Sequence, residues 1–255
     1  MKKQSSLHLL GQTKSLIGRR QILRFFSAMG SSIVLKACLP QNTQATSTQP
    51  AVAQLPTGCV ARPELAEGPV FVEDDLNRSD IRLDPSRGIT SEGIPLQLTF
   101  RISSIIKNAC TPLANAQVDL WQCDAYGLYS DTSELGMDTV GQKFLRGYQK
   151  TDSNGMATFT SIYPGGYPGR AIHIHIKVRT NEGYDFTSQV FFETQLTEKV
   201  FTQAPYNQRG QNWTRNEDDG IYRNGGEQMV LDVSETDTGY TTTFDIALDL
   251  SERNS

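Results

Sequence analysis

Acid is missing from the first quarter of this 255-residue chain: no Asp or Glu precedes Glu64. Base is not, since Lys2, Lys3, Lys14, Arg19, Arg20, Arg24 and Lys36 fall within the first 40 residues. Beyond them 17 basic side chains face 28 acidic ones, a balance of −11. A domain that acidic is a poor match for nucleic acid or for an anionic membrane. Long apolar runs are lacking as well, because the stretch after Arg19 and Arg20 is too short and too interrupted to span a bilayer. Helical periodicity is scarce, and there is no internal repeat. The four cysteines, Cys38, Cys59, Cys110 and Cys123, form no cluster of metal-binding spacing. Histidine is rarer still: His8, His173 and His175 are all there is.

What is present divides the chain into three parts. Residues 1–38 read as an export signal: "GRRQILRFFSAMGSSIVLKACLP" carries a twin arginine followed by an apolar run. The pair resembles the twin-arginine signal, which carries folded proteins out of the cytoplasm. "LKAC" resembles a lipoprotein cleavage box with Cys38 as the lipidated residue, although Lys36 departs from it. The expectation is an exported protein, in the periplasm or at the cell surface, touching membrane only through a lipid at Cys38. Residues 39–54, uncharged and rich in Gln, Thr and Ala, read as a disordered spacer. Residues 55–255 are one domain's worth of chain.

Short strand patterns separated by turns dominate that domain. "IPLQLTFRISSI" and "AQVDLWQCD" alternate, the latter with Val118, Leu120 and Gln122 on one face. Trp121, out of phase with Leu120, reads as core. "FLRGYQKTDSNGMATFTSIY" reads as a hairpin with Asn154-Gly155 at its turn. "AIHIHIKVRT", "TSQVFFET" and "GYTTTFDIALDL" read as further strands. The fold class expected is all-β, a sandwich of mostly antiparallel strands with long irregular loops near residues 131–145 and 200–228. Asp218 and Asp219, in the second of these loops, read as a solvated pair. An oxidising compartment permits a disulfide. Cys110 precedes a strand that Cys123 ends, and about 3.3 Å per residue of strand separates them, so the pairing stays open.

His173 and His175 sit two apart in one strand, so their side chains share a face, with Cα atoms about 6.5–7 Å apart. Ile172, Ile174, Ile176 and Val178 take the other, core face. The spacing fits two imidazoles on one metal ion and equally fits two ordinary surface histidines. Tyrosines lie close by, Tyr163 and Tyr167 in "YPGGYPG". A phenolate suits a hard trivalent cation, with ferric iron the natural choice. Spacing does not choose between these two tyrosines.

"IYPGGYPGRAIHIHIKV", "AQVDLWQCDAYGLYSD", "ELAEGPVF", "TRNEDDGIY" and "GYTTTFDIAL" together resemble the intradiol ring-cleavage dioxygenases, closest to their single-domain exported members. The resemblance runs from about Cys59 to the last strand. It implies one Fe(III) per chain held by Tyr129, Tyr167, His173 and His175, with Tyr126 and Tyr163 off the motif. It implies a charge-stabilising role for Arg170 and a hydrogen bond near the substrate from Gln189. The implied reaction cleaves a catechol-type diol with O2 between its hydroxyl-bearing carbons, giving a muconate-type diacid, and Tyr167 acts as the displaced ligand and base. The chain departs from the family at Gln122, where a histidine is common, and at Gly166, where an aromatic is common. Both departures bear on pocket shape. The helical N-terminal dimerisation segment of the catechol-specific branch has no counterpart. The competing expectation is an exported β-sandwich that binds metal or a partner without catalysis.

Overall fold

The computed structural model describes residues 59–210 and 212–251. Residues 1–54, where an export signal and a spacer are expected, lie outside the described residues. The strands β1 (Leu83–Asp84) and β2 (Ile89–Thr90) form a small ribbon. They are followed by β3 (Pro95–Ile106), β4 (Ala109–Pro112), β5 (Gln117–Trp121), β6 (Arg146–Lys150), β7 (Met156–Ile162), β8 (His173–Arg179) and β9 (Asp185–Phe191). A seven-residue helix α1 (Thr194–Val200), a long stretch of 3-10 turns, β10 (Ser234–Glu235) and β11 (Tyr240–Asp249) complete the order.

Two sheets make a sandwich. One runs β10-β11-β3-β4, and β7 shares an edge of β3 with β4. The other runs β6-β5-β8-β9 and is antiparallel throughout. The β11–β3 pair is parallel. Alternation explains the packing: Leu96, Leu98, Phe100 and Ile102 of β3 are buried, as are Val118 and Leu120 of β5 and Ile174, Ile176 and Val178 of β8. Their apolar faces meet in one continuous core.

One expectation needs correction, and one question left open by the sequence is answered. The turn at Asp152–Gly155 forms, with the Gly155 amide donating to Asp152 O at 3.0 Å. Its flanking strands do not pair: β6 joins β5 and β7 joins β3, in opposite sheets. Alternation and a turn residue specify two strands and a reversal, but a corner between sheets satisfies both as well as a hairpin does. The disulfide joins Cys59 to Cys110, with Cα atoms 5.9 Å apart, and Cys123 is free and buried. Cys110 turns back on the β3–β4 hairpin opposite Ile105, where Cys59, Ile105 and Ala247 form a small cluster.

The outer face of the second sheet is covered by chain. Residues 64–75 lie over it. The Leu65 amide donates to Thr187 O at 3.0 Å, Glu67 pairs with Lys177, and the Phe71 ring packs on Trp121 with centroids 4.9 Å apart. That strap is why His173 and His175, on a face usually left to solvent, are buried.

Candidate active site

Strand register builds the floor of the site. Trp121 of β5 stands opposite His175 of β8, and His175 stands opposite Gln189 of β9. These three side chains form one row across the outer face. Trp121 therefore belongs to the site rather than to the core between the sheets. It stacks on the His175 ring with centroids 4.9 Å and planes 11° apart, and it clusters with Val70, Cys123 and Tyr129.

Two loops bring the tyrosines to this row. After β5, Asp124 Oδ1 accepts the amides of Tyr126 and Leu128, each at 2.9 Å, and the chain turns back so that Tyr129 faces the sheet. Thr139 Oγ1 donates to Tyr129 O at 2.7 Å. Buried Arg146 holds the next residue, donating from Nε to Ser130 Oγ at 2.8 Å. Tyr167 arrives on the "YPGGYPG" loop. The two loops touch through backbone at Gly127 and Gly166, where a Cβ on Gly127 would lie 2.2 Å from Gly166 O. At Gly166 a side chain would meet Trp213 Cβ at 2.6 Å. The space the family's aromatic would use is thus filled by Trp213 from the later loop. Gln122 does not face the cluster: its amide donates to the carbonyls of Cys123 and Ile162 and accepts from Ser161 Oγ.

Four polar atoms converge. Tyr129 Oη lies 3.3 Å from His173 Nε2 and 3.1 Å from His175 Nε2. Tyr167 Oη lies 3.2 Å from His173 Nε2, and the two Nε2 atoms are 3.1 Å apart. His173 Nδ1 lies 2.6 Å from Ala171 O. That carbonyl can only accept, so the proton sits on Nδ1 and the Nε2 lone pair points into the cluster. The structure brings Tyr129, Tyr167, His173 and His175 together, and Tyr126 and Tyr163 do not join them. The Tyr126 hydroxyl reaches Glu92, and the Tyr163 hydroxyl pairs with Thr197 Oγ1 in the core.

Burial sets the protonation of this cluster in the metal-free chain. It pulls His173 down to about 3, with neighbouring Arg170 acting in the same direction, and pulls His175 well below the usual imidazole value. Burial also pushes the Tyr129 phenol well up, with Tyr167 adding to the effect, and raises Tyr167. Neutral imidazoles have lone pairs to give, and buried phenolates need a compensating positive charge.

Arg170 borders the cluster. Its Nη1 lies 3.4 Å from His173 Nε2, its Nη2 donates to Gln189 Oε1, and its Nε donates to Asp219 Oδ2 at 2.9 Å. Gln189 Nε2 donates to Ala66 O, so this amide already has partners at both ends. Asp219 departs from the solvated pair expected in its loop, since it is 1% exposed. Besides Arg170 it accepts the Ala171 amide at 2.8 Å and the Ile221 amide at 2.7 Å. Burial pushes its carboxyl up, but these amides and Arg170 outweigh that and hold it below the usual carboxylate range. Asp218, its neighbour, is exposed. Sequence spacing carried no signal for Asp219, because its partners are about 48 residues away in the chain.

Fold and site together define an all-β sandwich with a buried cluster of two tyrosines and two histidines on an outer sheet face. A dioxygenase family model matches residues 66–249. An intradiol ring-cleavage dioxygenase from Tetranychus urticae is 31% identical, with a TM-score of 0.66 over 75% of this chain and 95% of that one. The dioxygenase domain of a carbohydrate-binding fusion from Streptomyces sp. SirexAA-E is 26% identical, with a TM-score of 0.51 over 75% and 100%. Catechol 1,2-dioxygenase from Pseudomonas arvilla C-1, 20% identical with a TM-score of 0.52 over 73% and 62%, shares the fold. Among curated proteins none matches. The chain belongs to the intradiol ring-cleaving dioxygenases and is an enzyme of that class.

Proposed function

We propose that Tyr129, Tyr167, His173 and His175 hold one ferric ion, and that the enzyme cleaves a catechol-type diol between its hydroxyl-bearing carbons with O2, giving a muconate-type diacid. The convergence of the Tyr129 and Tyr167 phenol oxygens and the His175 imidazole nitrogen on His173 Nε2, each within 3.1–3.3 Å of it, carries this reading. The two Nε2 atoms, 3.1 Å apart, are close enough for one ion to be held by both. The donor set fits a hard trivalent cation: two phenolates supply charge, and two neutral imidazoles supply lone pairs. When bound, the ion would acidify the diol's hydroxyls and draw electron density from its ring.

The chain's own residues divide the remaining work. Tyr129 is fully buried and pinned by Thr139, so it stays in place. Tyr167 is half-buried, next to the exposed residues Pro168 and Gly169. It is the phenol with room to swing away and accept a proton from an incoming diol. Arg170 turns Nη1 toward the cluster, where its guanidinium would stabilise negative charge developing on the substrate. Trp121 and the residue 64–75 strap exclude water from the back of the imidazoles.

The enzyme works outside the cytoplasm, after export directed by residues 1–38, with Cys38 as the site of any lipid anchor. The Cys59–Cys110 disulfide supports an oxidising compartment.

The test is metal content with turnover. Purified protein should carry about one iron per chain and a visible tyrosinate band, and should consume O2 with catechol, hydroxyquinol or a substituted catechol, releasing a diacid two oxygen atoms heavier. A folded protein that takes up no iron, or an iron-loaded one inert to every diol, overturns the reading.

A further inference from the structure

Arg170 is held from two sides. Nε donates to Asp219 Oδ2 at 2.9 Å and Nη2 donates to Gln189 Oε1, which leaves Nη1 directed at the cluster, 3.4 Å from His173 Nε2. A guanidinium is planar, so fixing two of its nitrogens fixes the third. The clamp is itself immobilised. Asp219 Oδ2 also accepts the Ala171 amide at 2.8 Å, and Oδ1 accepts the amides of Ile221 at 2.7 Å and Tyr222 at 3.3 Å. Gln189 cannot flip, because its amide nitrogen donates to Ala66 O and its oxygen must then face Arg170.

We infer that Asp219 is a positioning residue for ring cleavage: it contacts no reacting atom and sets the rate by holding Arg170, with Gln189 as the second jaw. Gln189 accordingly acts on Arg170 through Oε1, while Ala66 O engages one hydrogen of its Nε2. Two features favour a positioning role over a merely structural one. The carboxylate meets the guanidinium through Nε, the nitrogen nearest the side-chain stem, which fixes the direction of the fork without occupying its tip. Moreover, the Thr214 amide of the same 201–233 loop region donates to Arg170 O at 2.9 Å and so fixes the Arg170 main chain, which leaves Asp219 as the loop's hold on the Arg170 side chain. A carboxylate in place of an amide also balances the cation in a part-buried setting, where an unpaired charge is costly.

This inference rests on the proposed reaction, and the test separates the two. Asp219→Asn and Arg170→Met are made singly and together, and kcat, KM, iron content and the tyrosinate band are measured. Positioning predicts that Asp219→Asn lowers kcat by about tenfold or more with KM and iron content little changed. In the Arg170→Met background the same substitution should change kcat by less than about twofold. A purely structural role would lower iron content or kcat equally in both backgrounds and would overturn the inference, as would wild-type kcat in Asp219→Asn. A second readout needs no activity. In the metal-free protein, nitrogen-15 NMR should show one slowly exchanging arginine Nε–H signal that Arg170→Met removes and Asp219→Asn shifts or speeds in exchange. If that signal is unaltered in Asp219→Asn, the clamp does not exist, even if the wild type proves inactive on every diol and the proposed reaction itself fails.

Discussion

The Trp121 indole lies face to face with the His175 imidazole, centroids 4.9 Å and planes 11° apart, because β5 and β8 pair these two residues in register. The stack holds the ring of a proposed ligand at the angle that aims Nε2 at the cluster. The Glu67 backbone of the strap also bears on the His175 ring, and the indole restrains its face. Trp121→Leu should therefore weaken iron binding by about 10–100-fold, the range for losing a ligand's supporting partner, while Trp121→Phe should largely preserve it. Competition with a chelator reads the difference.

His175→Ala should abolish the proposed iron binding and leave the fold intact. Removing this imidazole deletes one of four convergent donors but none of the aliphatic side chains on the opposite face of β8. Circular dichroism should be unchanged while iron content and the visible band disappear. Retained iron would show that the four atoms do not share one ion.

Gly127→Ala should separate the two tyrosines. Gly127 has φ +81°, and a Cβ there would lie 2.2 Å from Gly166 O, at the contact between the Tyr129 and Tyr167 loops. A left-handed non-glycine residue costs roughly 1–3 kcal/mol, and the clash adds to it. A lowered melting temperature with loss of the tyrosinate band is the expected outcome. A native band at native stability would mean that the loops do not need this approach.

Acid should weaken the protein partly through Asp84. Its carboxyl is fully buried and accepts from Ser86 N at 3.0 Å, Ser86 Oγ at 2.6 Å, Lys143 N at 3.1 Å and Arg87 Nε at 2.7 Å. Burial pushes it up, but those donors outweigh burial and hold it below the usual value. A depressed carboxylate contributes its stability in full above the unfolded value of about 3.9 and loses it as pH falls through the lower folded value. Asp84→Asn should cost about 1–3 kcal/mol at pH 7, with the gap to wild type closing toward pH 2. Urea midpoints across that range measure it, and a constant gap would refute the linkage.

Replacing both Cys59 and Cys110 by serine should cost about 4 kcal/mol on chain-entropy grounds for a 51-residue separation. The bridge ties the start of the described chain to β4, ahead of the strap over the site. Denaturant melts of the oxidised and double-serine proteins check the magnitude.

Much of this was readable from sequence because it depends on local rules. Strand alternation alone put His173 and His175 on one face and the isoleucines on the other, since side chains on a strand repeat every two residues. Motif positions identified Tyr129 and Tyr167 over Tyr126 and Tyr163. Only tertiary structure decided the rest, because pairing between distant segments is set by competition among surfaces and not by the residues of either segment. It sent β6 and β7 to opposite sheets across an ordinary turn, and it brought Cys59 rather than Cys123 to Cys110. It laid residues 64–75 over the histidine face and turned Trp121 onto His175. It also buried Asp219 beneath Arg170, where a charge that reads as solvated in the sequence finds four hydrogen-bond donors.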